Sequence, residues 1–211
     1  MLCIMSTSDS RNRIDIINDS LSEAMSYTSY RDLVHQLAES KSTTGETQSE
    51  ALIQYTELND KRMKRWDKTL KVPVAIEEKI KKIDKKLLFL VLTESWCGDA
   101  SPSLPVINKI ATYNSNIEFK IVLRDKNLEL MNAFLTNNAM SIPKLIVLDV
   151  VEEKLIADWG PRPSVATKMV EDYKAEHGTL TAEFKQDLQL WYNKNKGQNI
   201  LEDITALLSY V

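Results

Sequence analysis

The stretch Leu87 to Pro105, LLFLVLTESWCGDASPSLP, constrains this chain more than any other part of it. The continuous apolar run from Leu87 to Leu92 is short and bounded, a pattern that predicts a strand buried on both faces. Thr93, Glu94 and Ser95 follow, and then Trp96, Cys97, Gly98, Asp99 and Ala100. Beyond them the spacing of Leu104, Ile107 and Ile110 predicts a helix. A cysteine between a buried strand and a helix's first turn meets unpaired amide N–H groups and the positive end of the dipole. Such a setting favours a thiolate, so the position predicts a Cys97 pKa below the roughly 8.5 of a free thiol. The competing reading is an inert cysteine, buried as a small hydrophobe.

Trp96-Cys97-Gly98, with Pro105 inside the following helix, resembles the active-site segment of thioredoxins. Three further features fall in that family's order. Ile117 to Leu123 reads as the next strand, Ile142-Pro143 opens the strand Lys144 to Leu148, and Lys154 to Trp159 forms a hairpin with it before Gly160. The resemblance covers about residues 86–175. In a closer form, to bacterial thioredoxin-like proteins with a WCGD motif behind a helical N-terminal extension, it runs from about Tyr27 to Gly197. It implies a thioredoxin-like α/β fold, a central mixed β-sheet flanked by helices, with extra helices at both ends. It also implies a cis bond at Ile142–Pro143 beside Cys97. The groove residues it implies are Trp96 at the rim, Gly98, Asp99, Ile142, and Pro143 as the platform for an extended substrate.

Two departures from the family pattern matter. Ala100 stands where thioredoxins carry a second cysteine, and Val91 where they carry a buried aspartate. A dithiol cycle needs a partner thiol to resolve its mixed disulfide, so it cannot run within this motif. The resemblance then implies a thioredoxin-like thiol–disulfide oxidoreductase acting through Cys97 alone, with protein or low-molecular-weight thiols and disulfides as its partners. The alternative is a non-catalytic binding or chaperone-type module whose helical extensions recognise a partner. Asp99 takes the place of the family's proline; its carboxylate suits the helix dipole but opposes a neighbouring thiolate. Glu94 is either a proton acceptor for the thiol or an exposed residue at the strand end. Arg162, in the stiff run Gly160-Pro161-Arg162-Pro163, either stabilises a thiolate or acidic substrate group, or lies exposed on the surface.

Composition narrows the remaining classes. The 211 residues are 43% hydrophobic and 27% charged, with a net charge of −3. That balance suits a soluble chain able to bury about 70% of its unfolded surface and offers nothing to nucleic acid. No apolar run approaches the roughly 18 residues of a membrane span. The first residues lack the basic start and apolar core of a signal peptide. Two cysteines, Cys3 and Cys97, fit a reducing, cytoplasmic setting. His35 and His177 are isolated, so no metal and no cofactor is expected.

Along the chain, residues 1–25 are rich in Ser, Asn and Asp with only scattered apolar residues such as Ile14, Ile16, Ile17 and Leu21, which predicts a disordered tail. Residues 26–85 read as a helical extension, 86–175 as the thioredoxin-like core, and 176–211 as a C-terminal helical extension. Within the first extension Tyr27 to Ser40 is helical, and Ser42, Thr43 and Thr44 are turn residues in a polar loop. The helix Ser49 to Leu70 has Leu52, Tyr55, Leu58, Met63, Trp66 and Leu70 as its expected inner face. Asn127 to Leu135 is expected to be a helix with Leu128, Met131 and Leu135 inward.

Overall fold

The computed structural model describes residues 7–208. At its centre lies β1 (Leu87–Thr93), buried at every position as its unbroken apolar run dictates. It pairs in parallel with β2 (Ile117–Leu123), Leu87 opposite Ile117, and antiparallel with β3 (Lys144–Asp149), Leu88 opposite Leu148. β4 (Lys154–Trp159) closes the hairpin on β3, giving the mixed sheet order β2-β1-β3-β4. The β1-to-β2 crossover is α5 (Ala100–Thr112), which carries Pro105 internally and buries Leu104, Ile107 and Ile110.

Four helices precede β1: α1 (Thr7–Ser20), α2 (Tyr27–Glu39), α3 (Glu50–Thr69) and α4 (Val74–Lys81). Ser26 and Ser49 start α2 and α3 by accepting hydrogen bonds from the amides of Ser29 and Leu52. α6 (Leu128–Ala133) lies between β2 and β3. After β4 come α7 (Ser164–His177), α8 (Ala182–Asn195) and α9 (Gln198–Leu207). Asn199 and Asp203 of α9 accept hydrogen bonds from the first amides of α7, Val165 at 2.9 Å and Ser164 at 2.6 Å. The C-terminal extension is thereby tied to the end of the sheet.

Three expectations are corrected here. The disordered tail over residues 1–25 does not hold for the described part, since α1 forms and Ile17 is fully buried. Ile14, Ile17 and Leu21 recur at helical spacing; α1 packs on β4 and α6, and the turn at Leu21 on β2, surfaces invisible from the segment itself. Met25 then bridges Ile121 through two backbone hydrogen bonds of 2.8 and 2.9 Å, covering the open edge of β2. Cys3 lies outside the described residues. On α3 Met63 and Trp66 are buried as expected, but Tyr55 and Leu58 are exposed and Thr56 and Asn59 take the inner face in their place. In α6, Met131 faces inward as expected and Leu130 with it, but Leu128 is exposed, and so is Leu135, which lies beyond the helix's end at Ala133.

Candidate functional site

β1 ends at Thr93 and α5 begins at Ala100, so Glu94 to Asp99 form a loop over the sheet's end. Its conformation is fixed from α3 and from the loop before it. Ser95 Oγ accepts from the Thr44 amide at 3.0 Å and hydrogen-bonds with the hydroxyls of Thr43 (3.0 Å) and Thr56 (2.9 Å). Asn59 Nδ2 donates to the carbonyls of Ser95 (2.9 Å) and Cys97 (3.1 Å). All six residues are buried. Thr43 and Thr44 are thus core residues that brace the cysteine loop, not ordinary turn residues. The sequence signal for them was Thr56 and Asn59, polar residues three apart on one face of α3. A buried polar face of that kind needs partners, and the loop supplies them.

Cys97 is 6% exposed. Its Sγ–H donates to the carbonyl of Ile142 at 3.2 Å, immediately before Pro143, whose peptide bond is cis. Trp96, Gly98, Asp99, Ile142, Pro143 and Arg162 are therefore gathered around one buried sulfur. Burial, followed by the Asp99 carboxylate, pushes the Cys97 thiol up to about 12. The amides of Ala100 and Asp99 and the Arg162 charge act in the opposite direction and are outweighed. The expectation of a lowered pKa is corrected accordingly: the helix-terminus amides are present, but the desolvation that follows from burial dominates.

Asp99 explains why the sulfur is covered. Its carboxylate is paired with Arg162 Nη2 at 2.6 Å and accepts from the Tyr192 hydroxyl at 3.1 Å. Tyr192 belongs to α8, and Gln189, one turn earlier, reaches to 4.0 Å of where a Cβ on Gly98 would lie. Burial raises the Asp99 pKa above its ordinary value, while Arg162 and Tyr192 lower it. The Arg62 charge on α3 lowers it as well, to a smaller extent. Arg162 is thus held by Asp99 rather than exposed. The loop it belongs to is pressed against the platform, since a Cβ on Gly160 would sit 2.1 Å from the Pro143 carbonyl oxygen. Gly160 has φ +114°, open to glycine alone, and the Gly160–Pro161 bond is also cis.

Glu94 is fully buried, against the reading that exposed it at the strand end. Its Oε1 accepts from the Asp125 amide at 2.8 Å and burial raises its pKa, so it is biased toward the neutral acid. Among the described residues no hydrogen bond joins its carboxyl to Cys97; the two are linked only by the Cys97 amide donating to the Glu94 carbonyl at 3.1 Å. Tyr30 of α2, buried, is electrostatically coupled to both groups, a contribution the sequence did not announce. Trp96 is half-buried with the Arg124 guanidinium 4.9 Å from its ring centre. Among the described residues no cluster of three or more His, Cys, Asp or Glu side chains can hold a metal. No helix among them is long and apolar enough to cross a membrane.

A mixed sheet in the order β2-β1-β3-β4, a cysteine at the β1–α5 junction and a cis-proline facing it define a thioredoxin-like α/β protein. Residues 45–174 match the family model Thioredoxin_9, described as thioredoxin, and the chain belongs to that family. The matched span begins in the loop that braces Ser95, so part of the helical extension is family architecture. Among solved structures the chain is similar to PA1234, a protein of unknown function from Pseudomonas aeruginosa. Identity there is 21% and the TM-score 0.57, with 72% of this chain and 84% of that one covered. It is also similar to an HIV epitope-scaffold at 18% identity and TM-score 0.54, covering 89% of this chain and 99% of that one. At such identities the likeness concerns the fold. Among curated proteins, none matches the chain.

Proposed function

We propose that the protein is a thioredoxin-fold binding module in which Cys97 is kept as a protonated thiol, and that it recognises a protein partner without a catalytic redox cycle. The observation that carries this reading is the closed cysteine: Cys97 is 6% exposed and its thiol donates to the Ile142 carbonyl. An extended substrate would need that carbonyl and an open sulfur, and both are taken. Ala100 leaves no thiol one turn away to resolve a mixed disulfide. The test is the rate of Cys97 alkylation in native protein set beside turnover in an insulin-reduction assay. Slow alkylation and no turnover support the module; rapid labelling at pH 7 with turnover in the presence of glutathione overturns it.

One observation favours the second reading, a single-cysteine thiol–disulfide oxidoreductase resolved by an external thiol. The amides of Asp99 and Ala100 and the charge of Arg162 are directed so as to stabilise a thiolate at Cys97. That chemistry requires α8 and its Tyr192–Asp99 contact to move aside first. Formation of a stoichiometric Cys97–glutathione mixed disulfide in native protein separates the two readings.

A further inference from the structure

A second concavity lies away from the cysteine, where the end of α3 meets the turn between α8 and α9. It encloses about 420 Å³ and is lined by Arg65, Trp66, Leu70, Lys71, Asn193 and Lys196, among others. No aspartate or glutamate lines it. Of its three cations, Arg65 and Lys71 lie at the end of α3 and Lys196 in the turn after α8, and none forms an ion pair with a carboxylate among the described residues. In a chain of net charge −3, three cations and no carboxylate line one hollow, which gives it a local positive potential that favours an anion.

The local backbone places these charges with care. Lys196 adopts the left-handed conformation at φ 54°, and Gly197 follows at φ 77°. A Cβ on Gly197 would lie 2.9 Å from Val106 Cγ2 and 3.3 Å from both Trp66 and Leu70, so only glycine lets the turn sit this close to the floor. That close turn places Lys196, next to Gly197, on the same hollow as the buried Trp66. Asn193 Oδ1 accepts from one Arg65 Nη, which orients the guanidinium and leaves its other N–H groups free.

From this geometry we infer a binding site for a phosphate-bearing small molecule with two or more negative charges. Arg65, Lys71 and Lys196 would hold the phosphates, and Trp66 and Leu70 would form an apolar wall for the organic part. A volume of about 420 Å³ exceeds what a simple inorganic ion fills and falls within the range of small-ligand pockets. The site is independent of the reading of Cys97 and stands or falls without it.

Calorimetric titration of the full chain with inorganic pyrophosphate and with ADP tests the site. Saturable one-to-one binding is expected, tighter for ADP if the apolar wall is used. Lys196→Glu should weaken it by at least about tenfold, equivalent to some 1.4 kcal/mol, and Arg65→Gln by a similar factor. Both positions are exposed, so thermal unfolding of the free variants should match wild type. Lys154→Glu, a charge-matched change at an exposed β4 position, should leave affinity unchanged. Absence of saturable binding by both probes overturns the site. So does equal weakening by Lys154→Glu, which would reveal general charge attraction, or binding that survives both Lys196→Glu and Arg65→Gln.

Discussion

Arg162 Nη2 stands 2.6 Å from Asp99 Oδ2, and this ion pair fastens the loop after β4 to the loop that carries Cys97. Both side chains are largely withdrawn from solvent, at 23% and 10% exposure. Such a pair contributes little net stability, yet breaking it from one side strands a buried charge. Arg162→Ala should therefore cost about 2–3 kcal/mol in urea denaturation, below the full cost of a completely buried pair. Asp99→Asn should cost less, because the amide stays neutral and can still bond Tyr192. The double variant should lose less than the sum, and strict additivity would show that the pair is not coupled. Asp99→Asn should also lower the Cys97 pKa, since the carboxylate is the second cause that raises it.

The pH dependence of stability follows from the buried thiol. In the folded chain Cys97 is pushed up from an ordinary 9.0 to about 12. Between those values the folded state holds a proton that the unfolded state has released. Stability from this group is then full below pH 9 and falls as pH rises toward 12, with a slope of at most about 1.4 kcal/mol per pH unit. Tyr27, Tyr30 and Tyr192 are raised by burial as well and add to the loss in the same direction at high pH. The difference between wild type and Cys97→Ser isolates the cysteine. Denaturation midpoints for the two should run parallel from pH 7 to 8.5 and diverge by pH 10, wild type losing more. Curves that stay parallel would mean an unburied thiol.

Gly160 makes the closest approach to the platform. With φ +114° and a Cβ position 2.1 Å from the Pro143 oxygen, Gly160→Ala combines a forbidden backbone with a collision against main chain. A loss of about 3 kcal/mol or more is expected, together with faster alkylation of Cys97 as the loop is pushed away. A variant as stable as wild type would show that this contact is loose in solution.

Much of the site was legible in the sequence, and the unreadable part has one physical cause. The strand Leu87–Thr93, the cysteine junction and the crossover helix follow from local apolar pattern, which suffices when a segment is buried on both faces. What pattern cannot give is the company a residue keeps. Ile17 looked like a stray apolar residue because its partners lie on β4 and α6. Tyr55 and Leu58 looked like core because they are apolar, while Thr56 and Asn59 hold the inner face because the cysteine loop offers hydrogen bonds. The same gap misplaced the Cys97 pKa: the helix-terminus amides are encoded locally, but Tyr192, nearly a hundred residues away, bonds the Asp99 carboxylate beside the buried sulfur.

The last prediction asks whether the cycle is missing only its second sulfur. Ala100 occupies the first position of α5, one turn from Cys97, and is 2% exposed. A thiol introduced there by Ala100→Cys adds one sulfur atom and lies within reach of a disulfide with Cys97. Wild type should show no insulin-reducing activity. Ala100→Cys should form an internal disulfide under mild oxidation, visible as two thiols lost without dimerisation, and should gain slow reductase turnover. Turnover should stay well below that of an ordinary thioredoxin because Val91 provides no buried carboxylate and Glu94 bonds Asp125 instead of facing the thiol. Combining Ala100→Cys with Asp99→Asn should raise it further by relieving the negative charge beside the sulfur. A Cys3→Ser background keeps the assay on one pair of thiols. If Ala100→Cys forms no disulfide while remaining folded, the junction geometry assigned to Cys97 and Ala100 is wrong. If wild type already reduces insulin and Cys3→Ser does not, the resolving thiol comes from the N-terminus, and the closed, non-catalytic reading fails.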